Sequence, residues 1–203
     1  MSPLAHPRST PEEYLVRERR AQYRSEYVDG RVYATAGASR AHNLVAGNVF
    51  AELRAQMRGR PCEAYVSDMR VKVSRTGLYT YPDVVAVRGE PSFEDAHVDT
   101  LLNPAVIVEV LSESTEGYDR GEKFSHYRRL ESLREYVLVA QDRIRVEHFA
   151  RQGDHWMLTE ISDPDASLEL PSVGCTVALR GIYERVELPA GGDLPLRAGP
   201  EAK

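Results

Sequence analysis

The spacing of apolar residues along this chain changes several times, and each change marks an element. Between Ser39 and Met57, Val45, Val49, Leu53 and Met57 recur every fourth residue with Leu44 beside them. This is the stripe of an amphipathic helix of several turns, and Gly59-Arg60-Pro61 ends it. From Pro61 the period falls to two, predicting strands over Cys62 to Ser67, Met69 to Val73 and, after the Thr76-Gly77 turn, Tyr81 to Val87. Arg88 to Pro104 reads as a polar loop. Ala105 to Leu111 is apolar on both faces except at Glu109, which predicts a buried strand. Ser112 to Gly117 reads as a loop and Asp119 to Leu130 as a helix carrying Phe124, Tyr127 and Leu130 on one face. Tyr136 to Ala140, Arg145 to Ala150 and His155 to Ile161 then form a meander with turns at Asp142-Arg143 and Gln152-Gly153-Asp154.

Two local signals near the start are stronger than periodicity. Thr10-Pro11-Glu12-Glu13 combines a Thr N-cap, Pro at the first helical position and Glu at the third, which predicts a short helix to about Arg20. Asp29-Gly30 between Tyr23–Val28 and Arg31–Ala36 predicts a two-residue type I′ hairpin. Helices and strands are segregated, which argues for an α+β fold or a mixed central sheet over strict βαβ alternation. No internal repeat is present. Residues 1–10 read as a flexible N-terminus, 11–188 as one domain, and 189–203, with three Pro and three Gly, as a disordered tail.

Composition narrows the function classes. The 203 residues are 42% hydrophobic and 28% charged, with no apolar run near the roughly 20 residues that span a bilayer. Cys62 and Cys175 stand in no metal-ligand or disulfide pattern, and the N-terminus lacks a basic flank followed by an apolar stretch. A soluble cytoplasmic protein without membrane contact is expected. The net charge of −5 excludes a polycation that coats nucleic acid by bulk charge. That charge is uneven. Asp83 to Asp119 holds nine acids against Arg88 alone, a net of −8, while Arg54 to Arg75 holds six bases and two acids and could supply a face for a phosphate backbone.

The chemistry centres on Glu109. A carboxylate in a buried strand is costly unless it is paired, protonated or bound to a cation, so an arginine partner and a strand end open to water are the alternatives to a cation site. Asp83 opens another strand 26 residues earlier. Two such carboxylates on neighbouring strands, with backbone carbonyls nearby, suit Mg²⁺ or Mn²⁺. Lys123, on the following helix, could reach the same place if that helix folds back over the strand ends, although a lone Lys on a charged helix is ordinarily solvated. Glu26 reads more simply as an exposed acid before its turn. His42 sits just inside a helix start and suits capping or packing. Arg120 and Tyr127 flank Lys123 by about one turn and could touch phosphate or support the lysine, with Tyr127 suiting a core position better. The remaining histidines show no metal spacing, and Ser112, Ser114 and Thr115 belong to no nucleophile motif.

The series "EYVDGRVY", "AHN", "YPDVVAV", "VIVEVLSEST", "YDRGEKFSHY" and "EYVLV" resembles the Uma-type restriction endonucleases, a bacterial branch of the PD-(D/E)XK nuclease superfamily, in order from about Glu12 to Ile182. The resemblance implies a restriction-endonuclease-like mixed β-sheet flanked by helices and Mg²⁺-dependent hydrolysis of DNA. Asp83 matches the acid of the PD motif and Glu109 that of the (D/E)XK motif, with the backbone carbonyl of Val110 between them as a further metal ligand. The superfamily's lysine position falls on Leu111, and Lys123 matches the displaced lysine of this branch. Glu26 matches a first-segment acid of some members, and His42 a recurring histidine. A homodimer follows from the symmetry of double-strand cleavage and from family analogy. Two other classes stay open: a nuclease fold kept for DNA binding or assembly, and a structural domain with both acids paired to arginine.

Overall fold

The computed structural model describes residues 8–35 and 37–189; most of the expected loose N-terminus and the Pro/Gly-rich tail from 190 onward lie outside the described residues. Ser9 is held although residues 1–10 read as flexible, and Thr10 takes the capping position its sequence predicts. The Ser9 amide donates to the Gly30 carbonyl at 2.9 Å, and Thr10 caps α1 (Pro11–Glu18). Both halves of the capping box are present, with the Glu13 amide donating to Thr10 Oγ1 and the Thr10 amide to Glu13 Oε2. The hairpin of β1 (Ser25–Val28) and β2 (Arg31–Ala34) turns through Asp29 and Gly30, both at positive φ, as a type I′ turn requires. α2 (Arg40–Gln56) starts at Ser39, whose hydroxyl accepts the His42 amide, and buries Val45, Val49 and Leu53.

The strands that follow are β3 (Cys62–Val66), β4 (Arg70–Val73), β5 (Leu78–Thr80), β6 (Val84–Arg88), β7 (Thr100–Leu101) and β8 (Val106–Leu111). The single strand expected over Tyr81 to Val87 is therefore split from its start. β5 ends before Tyr81-Pro82-Asp83 and β6 begins after it, because Pro82 offers no N–H and restricts the residue before it. The expected loop 88–104 contains β7, which pairs in parallel with β4. α3 spans 116–127 and starts earlier than periodicity suggests. It is helical over Glu116–Tyr118, π-helical over Asp119–Lys123 and α-helical again over Phe124–Tyr127. β9 (Glu135–Ala140), β10 (Val146–Gln152) and β11 (His155–Ile161) form the expected meander. β12 (Ser167–Leu170), β13 (Cys175–Ala178) and α4 (Leu179–Ile182) close the chain, and periodicity had not marked them.

Two mixed sheets result, in the orders β2-β1-β5-β4-β7 and β11-β10-β9-β8-β6-β3, beside the small β12-β13 pair. β8 and β9 are parallel and α3 is their crossover, which makes β8 a central strand covered on both faces. Val106, Val108 and Val110 face α2 and the β12-β13 pair. Ile107 and Leu111 face the other way, toward β4, β5 and α3. Glu109 shares this second parity, so its side chain enters the seam between the large sheet, the second sheet and the crossover helix. Among the described residues no helix is long and apolar enough to cross a membrane.

Candidate active site

The β6–β8 register brings the acids together. Val84 lies opposite Val108, so Asp83, one residue before the ladder begins, lies across from Glu109. The Val110 amide has passed the end of that ladder, and it donates to Asp83 Oδ2 at 2.8 Å. His42, on the first turn of α2, places Nε2 at 3.2 Å from the same oxygen.

Glu109 is only 3% exposed, and its Oε1 accepts from the Tyr127 hydroxyl at 2.8 Å and from Lys123 Nζ at 2.9 Å. Lys123 is 5% exposed and lies 3.2 Å from Glu26 Oε1 and 3.5 Å from Asp119 Oδ1. Asp119 and Lys123 are both in the π segment, and the Tyr136 hydroxyl fixes the segment by donating to the Asp119 carbonyl at 3.0 Å. Glu26 accepts from Thr80 and from the Tyr118 hydroxyl. Asp83, Glu26, Glu109, Asp119, Lys123 and His42 all line one cavity of about 540 Å³.

The cluster is unbalanced. Burial pushes the Glu109 carboxyl well above its ordinary range; Lys123 pulls it back, while Asp119 and Asp83 push it further up. Asp119 rises for the same first reason. Burial alone would strip the proton from Lys123, but Glu109, Glu26, Tyr127 and Asp119 outweigh it and hold the ammonium well above its usual value. One cation thus serves three acids in contact with it, and Asp83 adds a fourth nearby.

Several expectations are corrected. Glu26 is a buried acid on Lys123, because β5 and α3 cover the hairpin strand that carries it. Lys123 is buried at the acids, as the fold-back of its helix over the strand ends allows, and does not take the solvated position usual for a lone lysine. Arg120 turns away from the cavity to Glu116 and Glu147, which excludes it from direct support of the lysine. Tyr127 is in the core as expected, yet its hydroxyl is bound to Glu109. Val110 also meets Asp83 through its amide, a contact beyond the carbonyl role expected of it. Arg54 to Arg75 forms no continuous basic face. Arg60 donates to the carbonyls of Val173 and Gly174, Arg70 is buried against Asp99, and Lys72 pairs with Glu94. Asp119, Tyr118 and Thr80 are the residues that sequence reasoning missed. Asp119 alone had a signal, four residues before Lys123 on one helix.

Whether these residues suit a divalent ion can be tested on the oxygens. Both internal contacts of Asp83 fall on Oδ2 and both of Glu109 on Oε1. Each carboxylate therefore keeps one oxygen that accepts no hydrogen bond from the described residues. Among those residues no group of three His, Cys, Asp or Glu side chains is arranged to hold a metal alone. Mg²⁺ does not require one, since it is commonly held by one or two carboxylates with water or phosphate completing the shell. The hard oxygen donors and the acid excess fit Mg²⁺ or Mn²⁺.

The fold is that of a solved structure from Anabaena variabilis titled a putative nuclease belonging to DUF820, with a TM-score of 0.72 at 16% identity over 86% of this chain and 97% of that one. Its class is thus an α+β fold with mixed sheets and four helices. Residues 11–180 match the Uma2 family, described as "Putative restriction endonuclease", and the chain belongs to it. Two uncharacterized proteins of Synechocystis are similar: one 40% identical over 79% of this chain and 91% of its own length, the other 34% identical over 87% and 92%.

Proposed function

We propose that this protein is a Mg²⁺- or Mn²⁺-dependent endonuclease that hydrolyses DNA phosphodiester bonds. The observation that supports it most is the pair Asp83 and Glu109, each with one oxygen lacking a donor, beside a buried ammonium in an open cavity. Asp83 and Glu109 would hold the ion, with the Val110 carbonyl as the further ligand that family resemblance implies. When bound, the ion supplies charge at the phosphoryl oxygens and acidifies a water molecule. Lys123 orients the attacking water or a phosphate oxygen and offsets developing negative charge. Glu26 and Asp119 hold Lys123 in place, and Tyr127 fixes the rotamer of Glu109. His42 holds Asp83 from the α2 side. A homodimer would present one such site to each strand of a duplex.

The test is cleavage of plasmid, linear and single-stranded DNA with Mg²⁺ or Mn²⁺. Asp83→Ala and Glu109→Ala should each reduce cleavage to background, and Lys123→Ala should lower the rate with metal binding retained. Absence of cleavage of all three substrates by the wild-type protein with either metal overturns the reading. A second reading, a nuclease fold kept for DNA binding or assembly, draws on the neutralisation of Lys123 by three acids. It predicts DNA binding that survives Glu109→Ala and no turnover in the wild type.

A further inference from the structure

β11 is the outer strand of the six-stranded sheet, paired with β10 through all seven residues and with no strand beyond it among the described residues. Such an edge presents a row of unpaired N–H and C=O groups, and proteins usually blunt it with Pro, Lys, a bulge or a covering segment. The sequence HWMLTEI has none of the first two, and its register with β10 runs unbroken. Met157 and Leu158, on opposite faces of the strand, are 49% and 52% exposed. A strand left bare on both faces in this way suits the addition of another strand.

Charge selects the occupant. In the β10–β11 register Glu160 lies beside Glu147 and Trp156 beside Arg151, so one end of the edge is acidic and the other basic. At the acidic end Arg145 is shared, 3.0 Å from Glu147 and 2.8 Å from Glu160. At the basic end Arg151 lies 4.7 Å over the Trp156 ring and donates to the carbonyls of Arg128 and Leu130. It reaches no carboxylate among the described residues and its buried Nε is unbonded; burial and the nearby charge of Arg134 work against its charge, and Asp154 and Glu131 act the other way from a distance. An antiparallel copy of the same edge sets acidic end against basic end twice.

We propose that β11 pairs antiparallel with β11 of a second copy, about a two-fold axis at Leu158. Leu158 then faces Leu158 of the second copy, with Phe149 behind each. Glu160 faces Trp156 of the second copy, with that copy's Arg151 behind it. An axis at Met157 instead places Glu160 opposite Asp154, and one at Thr159 places Glu160 opposite Leu158 with the two Glu160 on one diagonal; both lose the match. Each chain has one β11, so the pairing closes at two. The inference does not depend on catalysis, because its readout is mass and not cleavage.

The experiment is sedimentation velocity on the full chain from 1 to 100 µM, with circular dichroism to confirm folding of each variant. The wild type should sediment as a dimer and Leu158→Lys as a folded monomer. Glu160→Arg should weaken the dimer on the order of tenfold, because a cation then stands toward Arg151 of the second copy twice, and a dimer left unchanged overturns the charge match. Glu160→Arg combined with Arg151→Glu should restore it. Leu158→Cys should form a disulfide-linked dimer under mild oxidation, since Cys62 and Cys175 are buried. A wild type that is monomeric at 100 µM, one larger than a dimer, or Leu158→Lys that remains dimeric overturns the interface. Absence of a cross-link from Leu158→Cys overturns the register.

Discussion

Two charge clusters lie on either side of the β1–β5 sheet region, one half-exposed and one buried, and they are built to opposite rules. Under α1, Arg19 bonds Asp99 at 2.8 Å and Asp95 at 2.7 Å, while Arg70 reaches Asp99 at 3.0 Å, Thr100 at 3.0 Å and the Tyr81 hydroxyl at 2.9 Å. Hydrogen bonding from Arg19, with the charge of Arg70, outweighs burial and holds Asp99 well below the usual carboxylate range. In the cavity the acids are buried and outnumber the one lysine in contact with them, and burial with acid neighbours drives Glu109 and Asp119 upward. The first cluster is complete in itself. The second accepts more positive charge than the chain supplies, and this separates a structural ion network from a cation site more sharply than the presence of buried acids does.

Removing one cation from each cluster gives the largest contrast. Arg70→Met should cost about 2 kcal/mol in urea denaturation, because Thr100 and Tyr81 lose a buried partner while the half-exposed Asp99 keeps Arg19. Lys123→Met should cost a similar amount at pH 7, yet Mn²⁺ or a pH near 5 should recover most of it, whereas neither should help Arg70→Met. If the two variants respond alike, the contrast fails. Next in size is metal itself: Mn²⁺ at a hundred times its Kd should stabilise the wild type and Arg70→Met by about 2.7 kcal/mol and Glu109→Ala not at all, read as a thermal shift.

The smallest effects separate the clusters by pH. Asp99 is depressed, so its contribution is present above its unfolded value near 3.9 and lost as the pH falls below it. Asp99→Asn should therefore flatten the acid side of the stability curve. Glu109 is raised, so the folded state keeps its proton longer than the unfolded chain and metal-free stability declines as the pH rises above the unfolded value of about 4.3. Glu109→Gln should therefore gain on the wild type as the pH rises from 5 to 8 in the absence of metal. Urea titrations across that range check both slopes.

Local elements were legible where one residue decides the backbone. Thr10 with Glu13 set the α1 start, and Asp29-Gly30 set the hairpin. The acid pair was legible because Asp83 and Glu109 each stand against a run of strand-forming residues. Glu26 was not, since what buries it comes from Thr80 in β5 and Tyr118 and Lys123 in α3, far along the chain. Charge counting over Arg54 to Arg75 misled for the same reason: a composition does not say that Arg70 and Lys72 are committed to Asp99 and Glu94. β12 and β13, with Leu168, Leu170, Cys175 and Val177 buried, are too short for alternation to rise above noise.

The π segment of α3 carries a further consequence. A residue added to a helix turns everything beyond it by roughly 100° about the axis. Phe124 and Tyr127 pack against the sheet while Asp119 and Lys123 face the cavity, so the wide turn works as a phase adjuster between two fixed orientations. Most substitutions at Gly121 or Glu122 should be mild, because both are exposed and a Cβ on Gly121 meets nothing within 4 Å. Deleting either one would swing one of the two faces out of position. At these two positions of the helix, chain length is constrained more tightly than residue identity.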